Sequence, residues 1–597
     1  MHWYASSSLA RQSQPDTDPD EPASKRMFKW LAKQFTAPED DPESLGSELG
    51  LRNFIDGLPT TLPARTLEAI GEQFEHARSL EIPPDRLRHA LKMLDERAQE
   101  PLAEVTQGLI SDDRGREMSD PAWLALSRYS RNLYAGYRVC LEALTNDPQR
   151  ETAHADAVLI ACRSTAALAR YKTLLRMRYR DVDAGYWDNL FGLVAWSASI
   201  GSTHTLVELY PRCGYQSSVE RELLLALMLD AAPIPNLLPP QIAALELILR
   251  RFAGSYQFSD APRETTPFVV EPGASPVVRR WVKGLKARPG MRFFGVSSAY
   301  AKLAGLHKEL KQTRALPDWL GTVRIERAAY GTLLELLLSH WSVEPPQRRQ
   351  RRDQADGEIL VTHGVAQVRR MIAASEYAKA GGNLGYEDNT PYDHKLFGRV
   401  RFGSVDATMQ QLAAASETAP ETSPMETLRK FELEGDRQMT ECWNISDVSA
   451  SGLGAMAASH GGWGRVGMLV GYRRMDSLDW QMAVVRRLSR SAQGKLSIGM
   501  QTLGSSGICA RIRIGAGDTG NAWVAVAGTT DVHHDAILVR TATDACVLLE
   551  RGTFTGEMEC MISFDRRWHA AKLLRVIEAG YDYERIEISL LVTPAQK

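Results

Sequence analysis

The chain has 597 residues, which is too long for one hydrophobic core and predicts roughly three or four domains. Its apolar fraction of 44% and charged fraction of 24% are those of an ordinary soluble globular protein. The net charge of −2 excludes a global electrostatic field that would steer the chain to nucleic acid or to an anionic membrane, so any anion must bind at a local site.

Residues 1–46 contain no apolar segment of the kind that forms a secretion signal, and we predict a disordered tail. From residue 47 to residue 258, apolar residues recur at spacings of three and four, which predicts a series of α-helices. Prolines such as Pro63 and Pro239 stand near predicted helix starts, where the first turn tolerates them. Because no fixed-period repeat is present, we predict an irregular helical array of the type used as a protein-interaction platform.

The composition changes in residues 259–346, which connect the helical array to the rest of the chain. Two strand-like segments, TTPFVVEPGASPVVRRWV and MRFFGV, predict a small sheet packed on the helices. Residues 297–341 return to a helical pattern and end in YGTLLELLLSHW. We expect this last helix to brace the domain that follows it.

A basic run begins the next part of the chain, in the sequence PPQRRQRRDQADGEILVTHG. Arg348 and Arg352 stand at an R-x-x-x-R spacing, with Arg349 and Arg351 between them, and a strand-like segment follows. A guanidinium group matches a phosphate or the O6/N7 edge of guanine with two parallel hydrogen bonds, which a lysine does not reproduce. The run therefore suits a nucleotide, although such runs are more often solvated linkers, ion-pairing segments or nucleic-acid patches.

The sequence WNISDVSASGLG, residues 443–454, predicts a strand that enters a tight turn. Asp447, Ser449 and Gly452 form a D-x-S-x-x-G pattern in it. A carboxylate accepts hydrogen bonds from N1 and N2 of guanine, a serine hydroxyl donates to a phosphate or a base, and a glycine leaves room for a ligand or takes positive φ. Taken alone, the pattern is most often a structural β-turn. Two later segments, WQMAVVRR and SIGMQTL, predict further strands.

The order of arginine run, strand and D-x-S-x-x-G turn resembles that of PilZ domains, small β-barrels that bind the bacterial second messenger cyclic di-GMP. The resemblance covers residues 347–503, about a quarter of the chain. It implies an arginine segment that is flexible when free and closes over the ligand against the barrel. One departure is the long stretch between the two motifs, which we interpret as an insertion at about residues 365–441, between the first two barrel strands. The ligand-binding residues that the resemblance implies are Arg348, Arg349, Arg351, Arg352, Asp447, Ser449 and Gly452.

Residues 505–597 contain short apolar runs broken by turn sequences, which predicts a further β unit, either a separate barrel or a sheet that completes the first. Asp531, His533, His534 and Asp535 are metal-capable residue types, but adjacent histidines on a strand point to opposite faces. The sequence has no G-x-S-x-G, H-E-x-x-H or P-loop motif and no paired acidic motif of cyclic di-GMP synthesis or hydrolysis. We therefore predict a protein that is not an enzyme and needs no cofactor or metal.

The cysteines and the hydropathy indicate where the protein works. Seven cysteines are scattered without a C-x-x-C pair, which is typical of reduced thiols and argues against a zinc ribbon or a disulfide framework. No apolar run has the length of a membrane span. We predict a cytoplasmic protein.

These expectations combine into a multidomain α+β protein. An all-α helical array (47–258) and a connecting region (259–346) precede a PilZ-like antiparallel β-barrel with an insertion (347–504) and a C-terminal β unit (505–597). We predict a cyclic di-GMP-binding effector that couples nucleotide binding at the barrel to a protein partner of the helical region, with no nucleic-acid partner. Two alternatives remain, an adaptor that binds no nucleotide and a metal-dependent enzyme that uses residues 531–535.

Overall fold

The structure is a computed structural model, and it describes residues 44–110, 120–145, 154–211, 213–272, 275–282, 284, 286–321, 323–344, 351–379, 423–434, 437–438, 440–457, 463–491, 494–504, 507–514, 532–540, 545–564 and 567–591. In chain order, these residues form a helical region, a small antiparallel sheet with two more helices, and two β-barrels. The predicted multidomain α+β architecture is therefore confirmed. The predicted tail lies outside the described residues as far as residue 43.

The helical region follows the spacing of apolar residues in the sequence. Apolar residues such as Leu67, Leu91 and Leu126 are fully buried in one continuous core. Pro63 and Pro239 occupy the first turns of their helices, as the sequence predicted. The elements are α1 (Glu48–Asp56), α2 (Pro63–His76), α3 (Pro84–Ile110), α4 (Asp120–Thr145), α5 (His154–Met177), α6 (Ala184–Ser199), β1 (Val207–Glu208), β2 (Gln216–Ser217), α7 (Val219–Asp230) and α8 (Pro239–Arg251).

A four-stranded antiparallel sheet and two helices connect this region to the barrels. The elements are β3 (Gln257–Ser259), β4 (Phe268–Glu271), β5 (Ser275–Arg280), β6 (Arg292–Gly295), α9 (Ala299–Thr313) and α10 (Arg327–Trp341). Phe268, Val270 and Phe294 pack into the same core as the helices, so the sheet lies against the helical region. Helix α10 packs on α8 and α9, and Glu326, just before α10, pairs with Arg551 of the C-terminal barrel.

Six antiparallel strands close into the first barrel. The barrel and its insertion consist of β7 (Asp353–Gln354), β8 (Glu358–His363), α11 (Val365–Lys379), α12 (Pro424–Phe431), β9 (Leu433–Glu434), β10 (Arg437–Gln438), β11 (Glu441–Ser449), β12 (Gly452–Ala457), β13 (Leu469–Arg474), β14 (Gln481–Arg490) and β15 (Leu496–Gly504). The spatial order is β8, β11, β12, β15, β14 and β13, and β13 pairs with β8 again. Alternate residues such as Ile359, Trp443 and Val485 fill the interior. Strands β8 and β11 are neighbours in the barrel. The segment that contains α11, α12, β9 and β10 is therefore inserted, along the sequence, between two adjacent barrel strands.

Helix α11 joins the two barrels. Val368 on this helix packs in one cluster with Leu469 of the first barrel and Ile537 of the second. Arg369, one residue on, is buried and pairs with Asp535 of the second barrel at 3.3 Å. The helical start of the insertion therefore contributes to a shared core.

Helix α12 was not predicted, although its start carries a recognisable signal. Ser423 accepts from the backbone N–H of Glu426, and the Glu426 side chain accepts from the backbone N–H of Ser423, which is a capping box. The buried guanidinium of Arg473 on β13 donates to Glu432 at 2.8 Å and ties this end of the insertion to the barrel.

The C-terminal strands form a second closed barrel, which answers the alternative that the sequence left open. Its strands are β16 (Gly507–Ile514), β17 (Val532–Arg540), β18 (Ala545–Glu550), β19 (Met558–Phe564), β20 (Arg567–Ala579) and β21 (Tyr583–Leu590). They pair in the order β16, β17, β18, β21, β20, β19, and β19 pairs with β16. In the described part of the chain, no helix is both long and apolar enough to cross a membrane.

Candidate functional site

A β-bulge places Asp447 on the outside of the first barrel. Trp443 and Ile445 are buried in the interior, and simple alternation would direct Asp447 inward as well. The register shifts between Ile445 and Asp447, so Asp447 lies opposite Gly454 on the outer face. Bulges of this kind re-aim a side chain. The carboxylate therefore avoids the apolar interior and is presented at the surface.

Ser449 and Gly452 shape the hairpin between β11 and β12. They lie opposite each other across a two-residue turn, and the Ser449 hydroxyl donates to the carbonyl oxygen of Gly452 at 3.1 Å. The Ser449 hydroxyl, which the sequence predicted as a hydrogen-bond donor to the ligand, therefore already donates a hydrogen bond within the turn. Gly452 does not take positive φ, in contrast to one of the two expected reasons for a glycine. A Cβ there would lie 2.1 Å from the carbonyl oxygen of Met500, so the close approach of β15 requires the glycine.

Strand β7 brings the end of the arginine run to this hairpin. Gln354 of β7 lies opposite Asp447, and the pairing is antiparallel. As a result, Arg352 donates from Nη1 to Asp447 Oδ1 at 2.8 Å, across 95 residues of chain. Arg351 is exposed, and its Nε lies 3.4 Å from the carboxylate of its neighbour Asp353. The predicted residues Arg348 and Arg349 lie outside the described residues.

The pair of Arg352 and Asp447 is only partly buried. The two side chains are 37% and 24% exposed, and the second oxygen of Asp447 accepts from the Ser446 hydroxyl at 3.3 Å. Pairs this exposed contribute little to stability, so a ligand with better partners for both groups is able to replace the contact.

Gly454 was missed by the sequence reasoning, although it lies two residues after Gly452 in the same stretch. A Cβ at Gly454 would lie 2.5 Å from Asp447 Oδ2. The glycine therefore makes room for the carboxylate on the outer face. Its signal in the sequence is the G-x-G that ends the turn.

The sequence reasoning also missed Arg487. This residue ends a row of four residues that lie opposite one another on four neighbouring strands. Asp447 lies opposite Gly454, Gly454 opposite Gly499, and Gly499 opposite Arg487. A register shift between Val485 and Arg487 turns Arg487 to the outer face, as the bulge in β11 does for Asp447. The row thus presents a carboxylate at one end, two glycines in the middle and a guanidinium at the other end. We name these four residues the outer row.

Arg486, inside the bulge of β14, connects the outer row to the second barrel. It donates from Nε to the side chain of Gln501 at 2.8 Å and pairs with Glu578 on β20. Burial opposes the charge of Arg486, but the hydrogen bond and attraction of Glu578 hold the pKa of Arg486 above its usual value. The second barrel therefore supports one edge of the candidate site.

The helical region contacts the same strand at two points. Asn236, in the turn between α7 and α8, donates from Nδ2 to the carbonyl oxygen of Arg486 at 3.1 Å. At the end of β14, the N–H of Arg490 donates to the carbonyl oxygen of Tyr179 at 2.7 Å, and the N–H of Asp181 donates to that of Arg490 at 3.2 Å. Strand β14 therefore carries both Arg487 and the contacts to the helices.

Tyr179 is a residue of the helical region that packs into the core of the first barrel, and Leu238 packs against the same cluster. Its side chain packs in the interior cluster of the first barrel, and its hydroxyl donates to the carbonyl oxygen of Leu237 at 2.9 Å. Burial raises the pKa of Tyr179 above its usual value. The residue has a φ of 57°, a conformation that non-glycine residues adopt at a penalty of roughly 1–2 kcal/mol. This strain persists because the barrel holds the side chain in place.

The metal-capable residues of β17 are not gathered into one cluster. His533 and His534 are consecutive on the strand, opposite Arg513 and Ile512. Asp535 is engaged by Arg369 and Arg511 at 3.3 Å and 3.6 Å, and Asp531 lies outside the described residues. Within the described ranges, no group of three or more His, Cys, Asp or Glu residues could hold a metal ion.

Comparison with known proteins finds a relation in the helical region. Residues 50–263 match a family model described as the N-terminal domain of the cyclic di-GMP receptor FimW. No curated protein and no solved structure matches the chain. The match spans α1 to β3 and thus shows a similarity to a cyclic di-GMP receptor family through a part of the chain that does not include the barrels. The PilZ resemblance of the first barrel stays a prediction.

Proposed function

We propose that the chain is a cyclic di-GMP effector without catalytic activity, which binds the nucleotide on the outer face of the first barrel. The observation that carries this proposal is the contact between Arg352 and Asp447. It joins the R-x-x-x-R run to the D-x-S-x-x-G turn, although 95 residues separate them. The match of residues 50–263 to a domain of a cyclic di-GMP receptor supports the same ligand independently.

The outer row suits the chemistry of a cyclic dinucleotide. The ligand has two phosphates and two guanine edges, and guanidinium groups bind either of them with paired hydrogen bonds. In this proposal Asp447 accepts from N1 and N2 of one guanine, while Arg352 moves from Asp447 to a phosphate or to the O6/N7 edge. The glycines between Asp447 and Arg487 leave room for these two side chains, since a Cβ at Gly454 would meet the Asp447 carboxylate and a Cβ at Gly499 would meet Arg487.

Strand β14 provides a physical route from the ligand to the helical region. Its outer face carries Arg487, its bulge accepts the hydrogen bond of Asn236, and its end pairs with residues 179–181. If the ligand binds one arrangement of β14 more tightly than another, it increases the population of the conformation of the helical region that accompanies that arrangement. In this way the barrel would control a partner surface on the helices.

The proposal is tested by calorimetric titration of the full-length chain with cyclic di-GMP, beside GTP and cyclic di-AMP. We expect micromolar or tighter binding of cyclic di-GMP alone. Absence of heat and of a thermal shift at saturating nucleotide, in protein shown to be folded, would exclude an effector of this kind. It would favour the adaptor, for which a partner is captured equally with and without nucleotide.

Arg487→Ala is expected to raise the Kd for cyclic di-GMP by roughly 10- to 100-fold, because a hydrogen bond to a charged group contributes about 1.5–3 kcal/mol. The measurement is the same titration. Arg575→Ala, at an exposed position of the second barrel, serves as the control and should bind as the wild type does. A Kd that is unchanged by Arg487→Ala would remove this residue from the site.

A further inference from the structure

A groove lies between α9 and α10, and its lining residues belong neither to the first barrel nor to residues 50–263. Its volume is about 230 Å³. The helices run antiparallel there, since Arg314 at the end of α9 contacts Arg327 at the start of α10, whereas His307 in the middle of α9 contacts Glu335 further along α10. Residues three and four apart share one helix face, which aligns Lys311 and Arg314 on one wall and Arg327 and Glu335 on the other.

The groove has an excess of positive charge. Three permanent cations, Lys311, Arg314 and Arg327, face one carboxylate, Glu335, so their sum is +2, whereas the whole chain carries −2. Glu335 is already shared by His307 at 3.2 Å and Lys311 at 3.8 Å. This leaves the two arginines without a carboxylate of their own.

The two arginine side chains are exposed and available. Within the described residues, Arg327 donates to the backbone carbonyl of Arg314 at 3.4 Å, and neither guanidinium forms an ion pair. Arg314 ends α9 in the left-handed conformation, with φ of 56°, which turns the chain at the mouth of the groove. Both arginines therefore line the same end of the groove, and both guanidinium groups are accessible to an anion.

Gly331 keeps the floor of the groove open. It lies inside α10, where glycine is less stable than alanine by roughly 0.5–1 kcal/mol. It does not have positive φ, and a Cβ would meet Leu310 at an ordinary 3.5 Å, so backbone geometry and neighbouring atoms do not require the glycine. What the missing side chain provides is space beside Arg327.

We propose that this groove binds a small phosphate-bearing anion, of the phosphate or pyrophosphate class, between the forks of Arg314 and Arg327. Arginine forks match two oxygens of a phosphate group. The volume is below the range of about 300–1,000 Å³ for pockets that enclose drug-sized ligands, so the bound group is small. The proposal is independent of cyclic di-GMP binding at the barrel.

The test is calorimetric titration of the full-length chain with inorganic pyrophosphate at constant ionic strength. We expect saturable binding that is weakened at least about tenfold in Arg314→Gln/Arg327→Gln, as the loss of charged hydrogen bonds requires. The control is Lys308→Gln/Arg324→Gln, which removes the same charge from exposed positions of the same two segments outside the groove.

Three results would overturn the proposal. They are an absence of saturable binding at millimolar pyrophosphate, an equal loss in both double variants, and unchanged binding in Arg314→Gln/Arg327→Gln. An equal loss in both double variants would mean that pyrophosphate binding depends on the total positive charge of this surface and not on the groove. Because the cyclic di-GMP affinity of Arg314→Gln/Arg327→Gln is expected to equal that of the wild type, failure at the groove and failure at the barrel are distinguished in the same proteins.

Discussion

Replacing Arg348 and Arg352 together with alanine is expected to abolish the binding of cyclic di-GMP. Each guanidinium is proposed to hold a phosphate or a guanine edge, and a hydrogen bond to a charged group contributes about 1.5–3 kcal/mol. Losing two of them amounts to roughly 3–6 kcal/mol, or a factor of at least about 100 in Kd. Calorimetric titration of the purified full-length variant beside the wild type measures this loss.

The loss should not come from unfolding. Arg352 and Asp447 are partly exposed, so removing this pair costs at most about 1 kcal/mol of stability, and thermal unfolding should stay close to that of the wild type. Arg575→Ala makes the same change at an exposed arginine of the second barrel and should leave the Kd unchanged. If the double variant binds normally, or if Arg575→Ala binds equally poorly, the arginine run is not the ligand clamp.

Local sequence patterns were sufficient for most elements. The three-and-four spacing of apolar residues predicted α1 to α8, because each helix needs a buried stripe against a shared core. The alternation in WNISDVSASGLG predicted β11 and its turn, since only one face of this strand is buried. The sequence did not predict helix α12, because the residues before it, AAASETAPETSP, are polar and contain turn-forming residues, although Ser423 and Glu426 form a capping box.

The geometry of the candidate site depended on pairings that no local pattern contains. The contact between Arg352 and Asp447 requires β7 to add to β11, and the outward position of Asp447 requires a bulge. Arg487 was hidden for the same reason, since simple alternation from the buried Val485 would direct it into the barrel. A one-residue register shift decides which face a side chain joins, and the sequence does not show where such shifts occur.

Two separate parts of the chain support the proposal of cyclic di-GMP as the ligand, and both contact one strand in the structure. The helical region matches a domain of a cyclic di-GMP receptor family, and the first barrel carries the paired arginine and D-x-S-x-x-G motifs. Strand β14 lies between them, with Arg487 on the outer row and Arg490 paired to the helices. Burial lowers the pKa of Arg490, and the nearby charges of Arg180 and Arg178 lower it further, so this junction holds like charges close together.

Tyr179→Ala is expected to separate the helical region from the barrel without removing the ligand site. Truncating a buried aromatic residue to alanine costs about 3–5 kcal/mol, and here the lost contacts are those between the helical region and the barrel interior. The strained φ of 57° no longer needs to be maintained, so residues 175–181 should relax. We expect the Kd for cyclic di-GMP to change by no more than a few-fold. Hydrogen exchange at the backbone of residues 175–181 and 234–238 should no longer respond to the ligand.

Two variants distinguish this uncoupling from general destabilisation. Tyr256→Ala truncates an equally buried tyrosine that lies in the helical core and should leave the ligand-dependent exchange pattern intact. Tyr179→Phe keeps the ring in the barrel and removes the hydrogen bonds of the hydroxyl, including the one to Leu237, so it should lose about 1–2 kcal/mol and retain the coupling. If cyclic di-GMP still alters exchange in the helices of Tyr179→Ala, the signal does not pass through this residue. The contact of Asn236 with the bulge of β14 and the backbone hydrogen bonds of Arg490 with residues 179 and 181 would then carry the signal.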